Sequence, residues 1–258
     1  MASPVPAEYA AIAVRAAAAA QVFVDDTHDP QLGADDIHHL ARVLRLREGE
    51  EVIVSDGVGH WARTSWHDGV LPLQPVRGAA GPGGDGSSQF EPAAPPLTVA
   101  FAPTKGERPE WVVQKLTELG VDRIVPLISD RSVVRWDGRH GAHAVARLRR
   151  VAREAASQCR RVRLPEISEV IHFADLVGLG APGEVVLAQL SGDRPNHAHR
   201  VVAVGPEGGW SADELGNGLP TVGFGLSVLR AETAAVTAGA LMASLRTGTV
   251  AAVGATPA

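Results

Sequence analysis

Short apolar segments alternate with longer segments of helical periodicity throughout the second part of the chain. The apolar segments, which predict strands, are residues 97–102, 123–128, 184–190, 201–204 and 221–224. Helices are predicted over residues 109–119, 141–158, from Ser211 onward and over 229–245. Strands separated by helices predict an α/β fold with a parallel sheet and helices on both faces. In such sheets, ligands bind at the carboxyl ends of the strands.

The first part of the chain has a different pattern. Strands are predicted over residues 21–24, 51–55, 60–66 and 70–76, with a single helix over 35–46. Asp56-Gly57 and Asp68-Gly69 are typical of tight turns between strands. The pattern predicts a small β-barrel.

A segment rich in Gly, Pro, Ser and Ala, residues 78–96, separates the two parts and is typical of a linker. We therefore expect three regions, which are a barrel over 1–77, a linker over 78–96 and an α/β domain over 97–258.

Charge is distributed unevenly along the chain. The protein has 258 residues and a formal net charge of −5, which by itself disfavours a nucleic-acid partner. However, residues 1–96 carry 6 basic and 13 acidic side chains, whereas residues 97–258 carry 18 basic and 16 acidic ones. Residues 123–163 alone hold 11 arginines against three acids, a local balance of +8. This excess favours a surface that binds a polyanion.

Several classes of protein are excluded by composition. The hydrophobic fraction of 45% and charged fraction of 21% are those of a packed protein, not of a disordered one. The single cysteine, Cys159, forms no internal disulfide, and the adjacent His38 and His39 lack the spacing of metal ligands. No apolar run is long enough for a membrane helix or a signal peptide. We expect a cytoplasmic protein without a metal site or a membrane partner.

Two glycine-rich loops follow predicted strands and are candidates for a ligand site. The first, Gly205-Pro-Glu-Gly-Gly209, precedes Ser211 and Glu214, whose spacing is that of a capping box at a helix start. The second, Gly223-Phe-Gly-Leu-Ser-Val-Leu-Arg230, precedes Glu232. An arginine is unfavourable at a helix N-terminus, which suggests that Arg230 serves a ligand.

The motifs of the chain resemble the RsmE family of ribosomal RNA methyltransferases. The sequence is similar to that family in Lys105-Gly-Glu-Arg-Pro-Glu-Trp-Val-Val-Gln-Lys-Leu-Thr-Glu-Leu-Gly-Val-Asp-Arg-Ile-Val-Pro-Leu127, Asp130-Arg-Ser-Val-Val134, Glu154-Ala-Ala-Ser-Gln158, Gly205–Gly209 and Val228-Leu-Arg-Ala-Glu-Thr233. The stretch His38-His-Leu-Ala-Arg-Val-Leu-Arg45 resembles the RNA-binding domain of the family.

The resemblance implies a PUA-like barrel followed by a SPOUT-type α/β domain with a deep trefoil knot. It also implies a homodimer that transfers a methyl group from S-adenosylmethionine to N3 of one uridine of 16S ribosomal RNA, near the decoding centre. Two departures from the family concern the cofactor pocket. Phe224-Gly-Leu226 replaces a common Leu-Gly-Pro, and Gln189 stands where an acid is frequent.

The resemblance and the glycine loops together suggest site residues. Cofactor contacts are predicted at Leu187, Gln189, Gly205, Pro206, Glu207, Gly208, Gly209, Phe224, Gly225, Val228 and Leu229. Glu207 and Glu232 are candidates for proton acceptor or cofactor steering, and Arg230 for holding a phosphate or stabilising a uridine anion. RNA contacts are predicted at His38, Arg42, Arg45, Lys105, Arg131, Arg153, Arg160 and Arg161.

Two other functions fit the same motifs. One is a non-catalytic RNA-binding or ribosome assembly factor that keeps the fold. The other is a SPOUT methyltransferase that acts on transfer RNA.

Overall fold

The computed structural model describes residues 7–71 and 88–250, and these form two compact units. Among these residues, the first unit takes those up to Ala93 together with Ala156–Leu164, and the second takes Ala94–Ala155 and those from Pro165 on. The predicted strand 70–76 lies outside the described residues from position 72 onward, as does most of the predicted linker. The division at 77 and 96 therefore stays a prediction.

The first unit contains a four-stranded sheet. It begins with helix α1 (Ala7–Ala17) and strand β1 (Ala20–Phe23), followed by helix α2 (Ala34–His38), a π-helical turn (His39–Val43), β2 (Glu51–Ser55), β3 (His60–Ser65) and β4 (Gln89–Phe90). β1 pairs with β2 in parallel, and the β2–β3 and β3–β4 pairs are antiparallel. The predicted strands 51–55 and 60–66 are confirmed, whereas α1 was not predicted. Closure of this sheet into a barrel stays a prediction.

The segment Ala156–Leu164 supplies part of the interior of the first unit. Val162 is fully buried in a cluster with Ile53 and Trp61, and the Ser55 hydroxyl donates to the Val162 carbonyl at 2.9 Å. The Gln21 amide donates to the Arg161 carbonyl at 2.7 Å. The first unit is therefore built from two stretches of chain that are distant in sequence.

The second unit is an α/β fold with a parallel sheet, as predicted. Its elements are β5 (Thr98–Phe101), α3 (Arg108–Glu118), β6 (Arg123–Ile128), α4 (Gly138–Gln158), β7 (Glu166–Ile167), β8 (Ile171–His172), a 3₁₀ helix (Phe173–Leu179), β9 (Val185–Asp193), β10 (Val201–Val204), α5 (Ala212–Leu215), β11 (Thr221–Val222) and α6 (Ala231–Arg246). The last turn of α4, from Ala156, belongs to the first unit. The strand order is β11-β9-β10-β5-β6-β7, and β8 also pairs with β6. These pairs are all parallel.

Alternate residues of the central strands enter two separate hydrophobic clusters. Val99 and Val202 pack in a cluster with side chains from α3, α4 and α6. Ala100 and Ala203 pack in a second cluster that includes Trp210 and Leu176 of the 3₁₀ helix. This alternation follows from the period of two along a strand, and it shows that both faces of the sheet are covered.

Two possible features are not found among the described residues. Residues 7–71 and 88–250 contain no helix that is both long enough and apolar enough to span a membrane. The same residues contain no group of three or more His, Cys, Asp or Glu side chains that could hold a metal ion.

Asp56 organises the predicted turn between β2 and β3. One carboxylate oxygen accepts from the backbone N–H of Val58 at 2.8 Å and of His60 at 3.0 Å, and the other lies 2.6 Å from Nδ1 of His60. Burial alone would raise the pKa of Asp56. These hydrogen bonds and the nearby His60 charge outweigh burial and lower the pKa below 3.8.

The lowered pKa of Asp56 predicts a pH-dependent contribution to stability. The pKa of Asp56 is lower in the folded protein than in the unfolded chain, where it is near 3.8, so the ionised carboxylate stabilises the fold at pH values above 3.8. This stabilisation is lost as the pH falls through the pKa of the folded state. Asp56→Asn should therefore cost about 1–2 kcal/mol of unfolding free energy at pH 7. Urea denaturation across pH 3 to 7 should show that the difference from wild type narrows as the pH falls below about 4. A difference that did not change with pH would contradict this account.

Candidate active site

A cleft of about 190 Å³, partly open to solvent, lies where β10 ends. Three segments that are separate in sequence line it, which are the middle of β9, the glycine loop after β10 and the residues before α6. Nine of the eleven residues predicted to contact a cofactor line this cleft, namely Gln189, Gly205, Pro206, Glu207, Gly209, Phe224, Gly225, Val228 and Leu229. Leu187 is instead buried in the core, and Gly208 does not line the cleft. The cofactor contacts themselves stay predictions.

Trp210 fixes one wall of the cleft. Its indole N–H donates to the carbonyl of Ala188 at 2.9 Å. Its ring packs edge-on against the ring of Phe173, with 5.5 Å between the ring centroids. A Cβ atom at Gly205 would lie 3.1 Å from the Trp210 ring, so a side chain there would press on this wall of the cleft. The structure shows that Trp210 packs and also lines the cleft.

The predicted capping box at the start of α5 is confirmed. The Ser211 hydroxyl accepts from the Glu214 backbone at 3.1 Å, and the Glu214 carboxylate accepts from the Ser211 backbone at 2.7 Å. Glu214, which is only 3% exposed, also accepts from the Asp130 backbone at 2.9 Å. The Ser211 hydroxyl donates to Asp130 at 2.6 Å. These bonds join the end of β6 to the loop that follows the glycines.

Arg131, a predicted RNA contact, supports the same loop. Its guanidinium donates to the carbonyl of Gly208 at 3.0 Å. A Cβ atom at Gly208 would also touch the Arg131 side chain at 3.4 Å. The side chain therefore positions the glycine loop, and RNA contact by its remaining donors stays a prediction.

The two predicted carboxylates face one arginine that was not predicted as a site residue. Nη1 of Arg108 lies 3.9 Å from Oε1 of Glu207, and Nε of Arg108 lies 3.6 Å from Oε1 of Glu232. The Glu232 side chain is 12% exposed. Its second carboxylate oxygen, Oε2, is buried without a hydrogen-bond partner among the described residues. The fold thus brings together two acids that are 25 positions apart with an arginine about a hundred residues earlier.

Arg230 lies at the same edge of the second unit. It is the N-cap residue of α6, directly after the cleft-lining Leu229, and its side chain is exposed. Its backbone carbonyl accepts from the Ala234 N–H at 2.8 Å, but in the described part of the chain the Arg230 side chain makes no hydrogen bond or ion pair. This placement leaves it available to a ligand, so its predicted role stays open.

The predicted RNA contacts of the first unit differ in how free their side chains are. His38, Arg42 and Arg45 are exposed at or just after the end of α2. By contrast, Arg160 donates to the carbonyls of Ser157, Ala18 and Ala19 at 2.8, 2.9 and 3.1 Å. Burial lowers the pKa of Arg160 from its usual value. We therefore interpret Arg160 as a residue that holds the returning segment within the first unit.

Several arginines of the stretch 123–163 form ion pairs with acidic residues from other parts of the chain. Arg123 lies 3.2 Å from Glu166, Arg147 lies 2.9 Å from Glu110, and Arg149 lies 2.7 Å from Glu169. Each of these acids lies outside the stretch. The local balance of +8 therefore overstates the unpaired positive charge of the stretch, because the fold supplies these three arginines with acidic partners that a local count omits. Lys105 and Arg153, two further predicted RNA contacts, are exposed.

Comparison with known families agrees with this architecture. The model of an RNA methyltransferase domain matches residues 91–243, and that of an RNA methyltransferase PUA domain matches residues 32–64. The chain belongs to this family of RNA methyltransferases. A relative from Mycobacterium bovis, ribosomal RNA small subunit methyltransferase E, is 34% identical over 245 residues, which cover 85% of this chain and 89% of the relative.

Solved structures show the same fold. A Legionella pneumophila protein in complex with S-adenosylmethionine is 26% identical, with a TM-score of 0.70 over 86% of this chain and 96% of that one. Ribosomal RNA small subunit methyltransferase E from Neisseria gonorrhoeae, bound to S-adenosylmethionine, has a TM-score of 0.69 at 23% identity. The superposition covers 88% of this chain and 97% of the Neisseria gonorrhoeae chain. Both the α/β methyltransferase fold and the family predicted from the motifs are thus confirmed.

The buried Glu214 gives a matched test of the loop network. Glu214→Gln should lower the unfolding free energy by about 1–3 kcal/mol, because an amide cannot accept both backbone N–H bonds as a carboxylate does. Asp213→Asn makes the same chemical change on the exposed side of α5 and should stay within about 0.5 kcal/mol of wild type.

Hydrogen exchange gives a second measurement of the same network. The backbone amides of Asp130 and Ser211 should exchange faster in Glu214→Gln than in Asp213→Asn. Equal exchange in the two variants would argue against the network.

Proposed function

We propose that this protein transfers a methyl group from S-adenosylmethionine to N3 of a uridine in 16S ribosomal RNA, near the decoding centre. The observation that carries the proposal is the convergence of three chain segments on one cleft that has two carboxylates and an arginine at its edge. The relatives named for ribosomal RNA small subunit methylation support the substrate class. A ribosomal substrate agrees with a cytoplasmic location.

The residues of the cleft fit S-adenosylmethionine. Phe224, Leu229 and Val204 provide apolar walls suited to a flat base, while Glu207 provides an anion for a cationic ligand. Gly205 lines the cleft without a side chain, so its backbone forms part of the wall that would face the ligand. When bound, S-adenosylmethionine supplies an electrophilic methyl carbon on a sulfonium.

The work left to the protein is positioning, exclusion of water and management of one proton. Uridine N3 carries a proton at neutral pH and lies on the pairing edge of the base, so the base must be unpaired before it reacts. The glycine loop and the segment 224–229 would orient the cofactor. Glu207, Glu232 and Arg230 are the proposed groups for steering and for charge stabilisation at the reacting base.

We further propose the deep trefoil knot that the family resemblance implies. A Cβ atom at Gly192 of β9 would lie 2.4 Å from the backbone of Val222, and one at Gly223 would lie 2.9 Å from the carbonyl oxygen of Gly192. Two backbone segments therefore cross at a separation that only glycine allows. Such a crossing supports threading of the segment after β11 through the loop that contains β9.

For the first unit, we propose a PUA-like barrel that binds RNA. The match over residues 32–64 contains the exposed His38, Arg42 and Arg45. Arg161, in the segment of the first unit that comes from later in the chain, is retained as a predicted contact. In the second unit, the proposed RNA contacts are Lys105 and Arg153, with Arg131 retained as a predicted contact.

We also propose a homodimer. Leu226 and Val228 are 102% and 85% exposed beside the cleft, and Leu190 on the wall of the cleft is 52% exposed. Clustered exposed apolar side chains are typical of an interaction surface. A second copy of the chain would cover them and complete the site.

Two measurements test the proposed function. Isothermal titration calorimetry should show binding of S-adenosylmethionine, and Gly205→Ala should weaken that binding severalfold because the added Cβ atom would press on the Trp210 ring that forms one wall of the cleft. Nucleoside mass spectrometry should find 3-methyluridine in 16S ribosomal RNA of the parent strain and none in a deletion strain.

Other outcomes distinguish the alternatives. Absence of cofactor binding would favour a non-catalytic RNA-binding or assembly factor. Loss of a methylated nucleoside from transfer RNA, with ribosomal RNA unchanged, would favour a transfer RNA methyltransferase.

A further inference from the structure

Arg108 occupies an unusual position for a basic residue. It is the first residue of α3, where the positive end of the helix dipole opposes a cation. Its side chain is 47% exposed, so burial does not hold it in place. The favourable interactions that offset the unfavourable position of this cation at the helix N-terminus must therefore come from the groups around the guanidinium.

Those groups are the two carboxylates of the proposed site. Glu207 approaches from the glycine loop at 3.9 Å, and Glu232 approaches from α6 at 3.6 Å. Both separations exceed hydrogen-bond length. The two acids thus hold the guanidinium between them by charge, and its N–H donors make no hydrogen bond within the described residues. A planar group with uncommitted donors is suited to bind oxygen atoms of a ligand.

The chemistry of the proposed reaction requires such a donor. Loss of the N3 proton leaves a negative charge that uridine spreads over N3, O2 and O4. A fixed donor at O2 or O4 would stabilise this anion more than neutral uridine, which is the property of a group that accelerates the reaction.

We propose that Arg108 is a catalytic residue that binds O2 or O4 of the target uridine and stabilises its N3 anion, an inference that rests on the proposed function. Glu207 and Glu232 act as positioning residues that hold the guanidinium at the edge of the cleft. In this scheme, neither carboxylate needs to accept the N3 proton.

The step balances without a further reactant. The N3 proton leaves to solvent hydroxide or water, and the N3 electron pair forms a bond to the methyl carbon. The bond between that carbon and sulfur breaks, and its electrons remain on sulfur. The products are 3-methyluridine and S-adenosylhomocysteine.

Arg108 is better suited to this role than Arg230. In the described residues, Arg230 has no carboxylate within 4 Å to fix its guanidinium, so its long side chain keeps its rotamer freedom. Arg108 is held from two sides by separate elements. Preorganised donors stabilise a developing charge more effectively than mobile ones.

The test uses a substrate whose N3 ionises more readily. Once the target uridine is mapped, it is replaced by 5-fluorouridine in 16S ribosomal RNA, because fluorine lowers the N3 pKa. Single-turnover methylation is measured for wild type, Arg108→Gln, Arg108→Lys and Arg200→Gln, on both RNAs and across pH. Arg200, at the opposite end of β10 from the cleft, is the matched control for loss of one arginine.

On uridine, Arg108→Gln should slow the reaction about 100-fold, the usual effect of removing one donor from a charged transition state. Its rate should also rise with pH over a more alkaline range than that of wild type. On 5-fluorouridine, the variant should recover most of this loss, whereas wild type and Arg200→Gln should change little between the two RNAs. Arg108→Lys, which keeps the charge without the fork geometry, should lie between Gln and wild type.

Cofactor affinity separates this role from a structural one. Arg108 does not line the cleft, so calorimetry should give Arg108→Gln an affinity for S-adenosylmethionine close to that of wild type. An unchanged rate in Arg108→Gln would overturn the inference, as would a slow rate that 5-fluorouridine does not rescue. If wild type itself formed no 3-methyluridine, the proposed function would fail and this inference with it. If wild type forms 3-methyluridine and Arg108→Gln does so at the same rate, the inference about Arg108 is refuted while the proposed function stands.

Discussion

Close approach of two backbones, at Gly192 of β9 and Gly223 after β11, is the constraint on which the candidate site depends. A side chain at either glycine would meet the backbone of the other segment. Because β11 pairs with β9, residues 224–229 reach the cleft beside Gln189 and Leu190. Displacing this crossing would move a whole wall of the cleft rather than a single contact.

The arginines of the predicted basic strip differ in whether they have partners within the protein. Many arginines of the predicted basic strip bind carbonyls or acids within their own unit, as Arg149 does with the carbonyl of Ile167 and with Glu169. Exposed ion pairs of this kind contribute little stability each, but they reduce the charge available to RNA. Polyanion binding is therefore better judged from cations without internal partners than from a count along the sequence.

Local patterns in the sequence predicted the parallel α/β fold of the second unit. The strands at 123–128 and 201–204 were identified from continuous apolar runs, as buried parallel strands require. Ser211 and Glu214 identified the start of α5 because a capping box is a short-range motif. The glycine loops and the family resemblance together identified most residues of the cleft. The predictions of these strands and of the helix start needed only information carried within a few residues of each element.

Contacts between distant parts of the chain could not be predicted in the same way. Arg108 was visible only as part of a family motif, and nothing in the sequence around it indicates Glu207 or Glu232. The same limit applies to Arg160, whose partners are the carbonyls of Ala18 and Ala19. Such pairs depend on tertiary packing, and neither periodicity nor local charge identifies them.

The discontinuous first unit has a consequence for how the protein is made. During synthesis, the strands β1 to β4 leave the ribosome well before Val162, yet Val162 fills the space beside Ile53 and Trp61. Until that residue emerges, Trp61 lacks part of its cover and the Ser55 hydroxyl lacks its acceptor. The first unit must therefore wait for more than half of the chain to be translated before its interior can close. The part of the protein that is made first is completed only after much of the second unit has appeared.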